Sequence, residues 1–189
     1  MSITCSILSG RERQCKNTVG GAKTLFLGLH SDFLTGVVAG GTNDQIDELP
    51  TATLYRFEVD PSASSLSLVS TINASPDNGT VFYAQVITAK YKKITALDRA
   101  NFANIAASQL AAFVLDNNGN IFYVGKVNGA DVTGGENMNT GNALGDMSGF
   151  NITITANEPA PPYMLEAYTT EPFDNFAGIT VSPAYPSAS

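Results

Sequence analysis

Between Ala111 and Gly129 the chain reads AAFVLDNNGNIFYVGKVNG: two apolar, β-prone runs around a turn. Phe113 to Leu115 enter, Asp116 to Gly119 turn, and Ile121 to Val127 return. The Asn118-Gly119 pair suits a tight hairpin, because Asn and Gly tolerate the positive φ angles such turns need. A hairpin written this plainly commits the chain to an antiparallel sheet. It holds no residue placed for chemistry, so the sheet itself is the expected working part.

The flanking segments extend this reading. Lys23–Leu29 is a short apolar run expected as a buried strand, and 30–50 a long connection rich in Gly, Asp and Asn. Thr53, Tyr55, Phe57 and Val59 alternate with Arg56 and Glu58, and Leu66, Leu68 and Ile72 alternate with Ser67 and Thr71. The DPSAS turn between them predicts that these two strands form a hairpin. After SPDNG, the run TVFYAQVITAKY is apolar on both faces, as in a central strand or one with a face against a neighbour. Thr95 as N-cap and Asp98 three residues on open a helix expected over about 96–110, with Phe102, Ile105, Ala106 and Leu110 as its apolar stripe. Residues 129–149 read as a long Gly-rich loop, and Phe150, Ile152, Ile154 and Ala156 as a half-buried strand.

The expected fold class is mainly β: an antiparallel β-sandwich or barrel-like domain with one flanking α-helix and long loops. Its expected organisation is an irregular segment over 1–22, the sandwich with its helix over 23–158, and a Pro-rich C-terminal arm over 159–189.

Charge narrows the function. With a net charge of −7 and only 14% charged residues, the chain lacks the clustered Lys and Arg that neutralise phosphates. Lys90–Lys93, KYKK, is the one basic cluster and too small for a nucleic-acid footprint. So few charges leave much Ser, Thr, Asn, Gly and Ala to face something, and contact with other subunits accounts for that economically. No run of 18 apolar residues suggests membrane insertion. Cys5 and Cys15 read as free thiols, since His30 is the only histidine and no further cysteine completes a zinc set.

Chemical motifs fail one by one. Asp116, Asn118 and Asn120 mimic a calcium loop, but Ile121 and Val127 stand where that loop needs Gly and Glu. His30, Ser31 and Asp32 lack a nucleophile elbow and an oxyanion hole. The glycines of 129–149 match no phosphate-binding spacing. Asp44, Asp47 and Glu48 pair carboxylates as a glycosidase would, but the chain has no tryptophan to form a sugar platform. The expectation is a protein that is not an enzyme and binds no cofactor or metal.

The run from Asn78 to Leu165 resembles virion structural proteins of tailed bacteriophages, particularly those of Bacteroidetes-type hosts. The resemblance rests on the strand–helix–DNNG hairpin order, the GG…TG.A.GD..G pattern from Gly134 to Gly149, the strand FNITIT and Asn157–Pro159, with CKNTVGGAK near the N-terminus. It covers about two thirds of the chain and most resembles tail tube proteins. It implies a β-sandwich with one helix, assembly in the host cytoplasm and a place in the virion. The implied role is a hexameric ring that stacks on copies of itself into a conduit for the genome. Six copies at −7 would place roughly 40 negative charges in each ring, so DNA would pass as repelled cargo. Other tail or connector proteins would be its further partners. The loops at 36–50 and 129–149 are the expected ring-to-ring contacts, with Asp44, Asp47, Glu48, Gly134, Gly135, Asn139 and Asp146 as candidate residues. Competing roles are a head–tail connector, a tail terminator, a capsid decoration or a carbohydrate-binding sandwich.

Overall fold

The computed structural model describes residues 10–13, 15–40, 42–60 and 65–185, and it is a β-sandwich with one helix. Cys5 lies outside the described residues, while Cys15 is an exposed free thiol. In chain order the strands are β1 (Ala22–Leu29), β2 (Val38–Ala39), β3 (Ile46–Glu48), β4 (Ala52–Glu58), β5 (Leu66–Ser75) and β6 (Thr80–Lys92). The helix α1 (Ala96–Ala107) follows, then β7 (Leu110–Asp116), β8 (Ile121–Val124), β9 (Asp131–Asn139), β10 (Gly149–Glu158), β11 (Tyr163–Met164) and β12 (Ile179–Ser182). One sheet has the order β11-β8-β7-β1-β4-β12 and the other β5-β6-β10-β9, with β2 and β3 as a small third sheet.

Two apolar layers hold this together. Between the sheets lie Leu25, Leu27, Val114, Val124, Ile87, Ile152 and Ile154, closed at one side by Phe102 of α1. Phe102 meets Phe150 at 4.1 Å and faces Phe57 and Tyr91 at 6.5 Å. On the outer face of the six-stranded sheet, Phe26, Leu54, Phe113 and Tyr123 pack against Phe33, Ile46, Leu165, Phe173 and Phe176. β1 and β7 are therefore covered on both faces, and their sequences are apolar without alternation for that reason.

The β7–β8 hairpin forms as expected, with a different turn. Only Gly119 has a positive φ, 87°, and the Asp116 N–H donates to the Asn120 carbonyl at 2.9 Å. The Asp116 carboxylate sits inside the turn, accepting from the N–H groups of Asn118 (2.9 Å) and Asn120 (2.7 Å). Burial alone would raise this carboxyl, but those donors and the two Asn side-chain amides outweigh it and hold it below the ordinary range. The side chains of Asn117 and Asn118 then clamp the incoming chain at Val19 and Gly20. All the polar residues of the supposed calcium loop are thus used in the turn and its clamp.

Three expectations are corrected. β4 and β5 do not pair, because β4 belongs to the six-stranded sheet and β5 to the four-stranded one, where it pairs with β6. The helix starts at the Thr95–Asp98 capping box but ends at Ala107, and Leu110 belongs to β7. The Gly-rich stretch of 129–149 is largely strand β9, paired with β10 through two register shifts. The segment after Glu158, read as a Pro-rich arm, lies on its own domain: β11 pairs with β8, β12 runs parallel to β4, and Phe173 and Phe176 seal the outer layer.

Candidate assembly surfaces

The sheet edges differ in how they meet solvent. An open edge offers unpaired N–H and C=O groups to any extended chain, and proteins blunt it with charge, bulges, brevity or cover. β11 and β12, at the edges of the larger sheet, have two and four residues. β9 carries Asp131, Glu136 and its two register shifts. β5 has ten residues, and from Leu66 to Ala89 the only charge is Asp77.

β5 and β6 also outrun their sheet. β10 pairs with β6 only from Tyr83 to Lys92, so Asn73–Phe82 extends as a two-stranded hairpin beyond the last row. Val69, Ile72, Val81 and Phe82 are 56, 64, 51 and 43% exposed. Ile72 and Val81 continue the face that, at Leu66, Ala89 and Ile87, lies in the core, but there the other sheet no longer stands opposite. An exposed apolar patch beside a long uncharged edge is the part of this surface most open to pairing with an extended chain.

The second feature is a polar cluster around Glu158, which is 3% exposed. Its carboxylate accepts the N–H groups of Val127 (3.0 Å) and Asn128 (2.8 Å), which pins the β8–β9 loop to the end of β10. Burial raises its pKa, against those donors and the nearby His30 and Lys126. A carboxyl raised on folding stabilises fully below its unfolded pKa, about 4.3, and loses that contribution as pH rises through the folded value. Replacing Glu158 with Gln should therefore make the difference in Tm, variant minus parent, move in the variant's favour between about pH 4 and pH 7. A flat difference would show that the buried carboxyl titrates normally.

His30 is 4% exposed, on a 3-10 turn, His30–Phe33, directly after β1. Its N–H donates to the Gln109 carbonyl at 3.0 Å, and its Nδ1 has no hydrogen-bond partner. It borders a cleft of about 460 Å³ lined by Leu29, Leu34, Gln109, Val127 and Asn128. Ser31 Oγ donates to Asp32 (3.3 Å), so the three residues read as a possible triad are not arranged as one.

The residues singled out from the sequence are mostly engaged locally. Asp47 accepts from the Gly40 N–H at 3.2 Å, and Asp44 and Glu48 flank Ile46, which is wholly buried. The 36–50 connection is thus anchored to its own core, where few apolar anchors were expected. Gly134, Gly135 and Asn139 lie in β9 rather than a loop. At Gly135, φ is 127° and a Cβ would collide with the Asn151 carbonyl, so the bulged pairing itself requires glycine there. Asp146 accepts from the N–H groups of Asn142 and Ala143, both at 2.8 Å, and closes the turn before β10. The β5 edge escaped notice in the sequence, although its signal was present as a run of 24 residues with one charge.

Among the described residues no cluster of three or more His, Cys, Asp or Glu could hold a metal ion, and no helix is long and apolar enough to cross a membrane. No family model, curated protein or solved structure matches the chain.

Proposed function

We propose that this chain is a structural subunit that builds rings from copies of itself, stacked as the tail tube of a bacteriophage. The observation that carries the reading is the long, uncharged β5 edge with its projecting apolar hairpin. A chain that exposed such an edge to no partner would aggregate; one that pairs it with a copy of itself gains an interface.

The four-stranded sheet has two edges of different character, so head-to-tail pairing of β5 with the next copy's β9 removes both at once. Pairing β5 with β5 would leave β9 open, and pairing β9 with β9 would bring Asp131 and Glu136 of two copies together. Heterologous pairing of this kind closes into a ring when the rotation allows. The net charge of −7 suits a conduit that does not hold DNA. The same edge would serve a ring-forming connector or terminator, which stops after one ring where a tube subunit keeps growing.

Lysines placed at Val69 and Ile72 test this. Both side chains are more than half exposed, so the substitutions should leave stability within about 0.5 kcal/mol. The parent is expected to sediment as polymer and the double variant as monomer. Equal sedimentation of the two would remove β5 from the interface.

A further inference from the structure

We propose that Leu144 of one copy seats in the cleft beside the C-terminal half of α1 in a copy of the next ring, and that this contact stacks the rings. The contact rests on the ring reading above and supplies its axial join.

Strand direction sets the placement. Pairing β5 with the next copy's β9 sets strands side by side around the ring, because the hydrogen bonds of an antiparallel sheet run across its strands. The ends of the strands then face the rings above and below. β9, from Asp131 to Asn139, is a nine-residue strand roughly 30 Å long. Beyond Asn139 the 140–148 turn returns the chain to Gly149, which pairs with Lys92, and the Lys93 N–H donates to the Ser148 carbonyl at 2.8 Å. Before Asp131, Ala130 and Leu110 exchange both backbone hydrogen bonds at 2.8 Å, and Leu110 lines the cleft. α1 spans the same interval, with its N-cap Thr95 two residues after Lys93 and its C-cap Ser108 at the cleft. Leu144 and the cleft thus lie at opposite ends of β9, where a copy displaced along the strands brings one onto the other.

The two parts suit each other. Leu144 is fully exposed, yet the turn that carries it is held by its own hydrogen bonds. The Asp146 carboxylate accepts from the Asn142 and Ala143 N–H groups, and the Asp146 N–H donates back to the Ala143 carbonyl at 3.0 Å. A side chain presented on a pre-set turn loses little freedom when it docks. The cleft, of about 310 Å³, has room for it. Leu27 and Leu110, both buried, form the floor, and Leu29 and Tyr55, 48 and 55% exposed, the rim. Leu27 and Tyr55 continue the inner face of the six-stranded sheet from Leu25 and Phe57, and Ile105 of α1 closes one side. None of the described residues lining the cleft is charged, and the one carboxylate of the turn is already bonded within it, so docking leaves no buried charge without a partner. Burying Leu144 while covering Leu29 and Tyr55 removes apolar surface from water on both sides. The contact is also heterologous: it joins opposite ends of two copies and leaves each new end free, so it repeats without limit.

Electron microscopy of Leu144→Asp beside the parent chain is the test. The replaced side chain is fully exposed, so Tm should not change. Single rings where the parent forms tubes are the expected result. Tubes as long as the parent's, or loss of the rings themselves, would overturn the stacking role of Leu144. A parent chain that forms neither rings nor tubes would overturn the ring reading and this contact with it. A cross-link identifies the seat. In a chain with Cys5→Ser and Cys15→Ser, Leu144→Cys is combined with Asn104→Cys, an exposed position lining the cleft, and the assembled protein is treated with a short bismaleimide. A ladder of covalent species on a denaturing gel, absent when either cysteine is present alone, is expected. Tubes that give only monomer on the gel would overturn the seat while leaving rings and stacking in place.

Discussion

Replacing Phe113 with Ala should destabilise the domain by about 3–5 kcal/mol, a large part of the stability of a chain this size. Phe113 is fully buried in β7, the strand between β1 and β8. Its ring stacks on Tyr123 at 4.4 Å and 12°, meets Phe173 edge-on at 5.5 Å and Phe33 at 5.5 Å. The truncation removes the apolar contact that ties the C-terminal segment and the turn after β1 to the sheet. The surrounding backbone is paired on both sides, so the cavity cannot collapse easily. Denaturant unfolding monitored by circular dichroism reads the effect; a loss under 1 kcal/mol would contradict the packing described here.

Ending the chain after Leu165 should have a larger effect still, abolishing cooperative unfolding. Phe173 and Phe176 are 3 and 4% exposed, and burying each side chain contributes about 1.5–3 kcal/mol. Their removal would also uncover Phe26 and Phe113 and take β12 from β4. Arg56, stacked 4.4 Å from the Tyr185 ring and paired with Glu58 at 3.1 Å, would lose its cover. Burial pushes the Tyr185 hydroxyl up to about 12, against the lowering effect of Arg56, which fits a ring held down on the domain. If the shortened chain instead kept a sharp thermal transition, residues 166–185 would be an accessory arm, as their proline-punctuated sequence suggests.

The elements legible in the sequence are those whose local chemistry decides them. Thr95 and Asp98 make the capping box that starts α1, and Asp116 to Gly119 make the β7–β8 turn without help from distant residues. The same holds for the alternation of Phe150, Ile152 and Ile154 in β10. What escaped depends on partners far along the chain. Alternation in Thr53–Val59 and Leu66–Ile72 marks strands but not which sheet each joins. Gly134, Gly135 and the asparagines of β9 have little strand propensity, and only pairing with β10 makes them a strand. Leu110 keeps the helical spacing of Phe102 and Ile105 by coincidence, because Ser108 has already left the helix.

The candidate surfaces show the same division. Acidic and Gly-rich loops attract attention in a sequence, yet Asp47 and Asp146 are occupied in capping their own turns. An edge strand is defined by the neighbour it lacks. That β5 is an edge, that its hairpin outruns β10, and that the His30 Nδ1 is left without a partner are facts of topology and packing. The sequence shows only the missing charges between Leu66 and Ala89.

Self-assembly through the β5 edge is the central claim, and negative-stain electron microscopy of the purified chain beside its Val69→Lys, Ile72→Lys variant tests it most directly. Rings or hollow tubes of the parent chain, with isolated particles of the variant, are the predicted result. A parent chain that stays monomeric across the concentrations at which tubes should form, or a variant that assembles as the parent does, would contradict it.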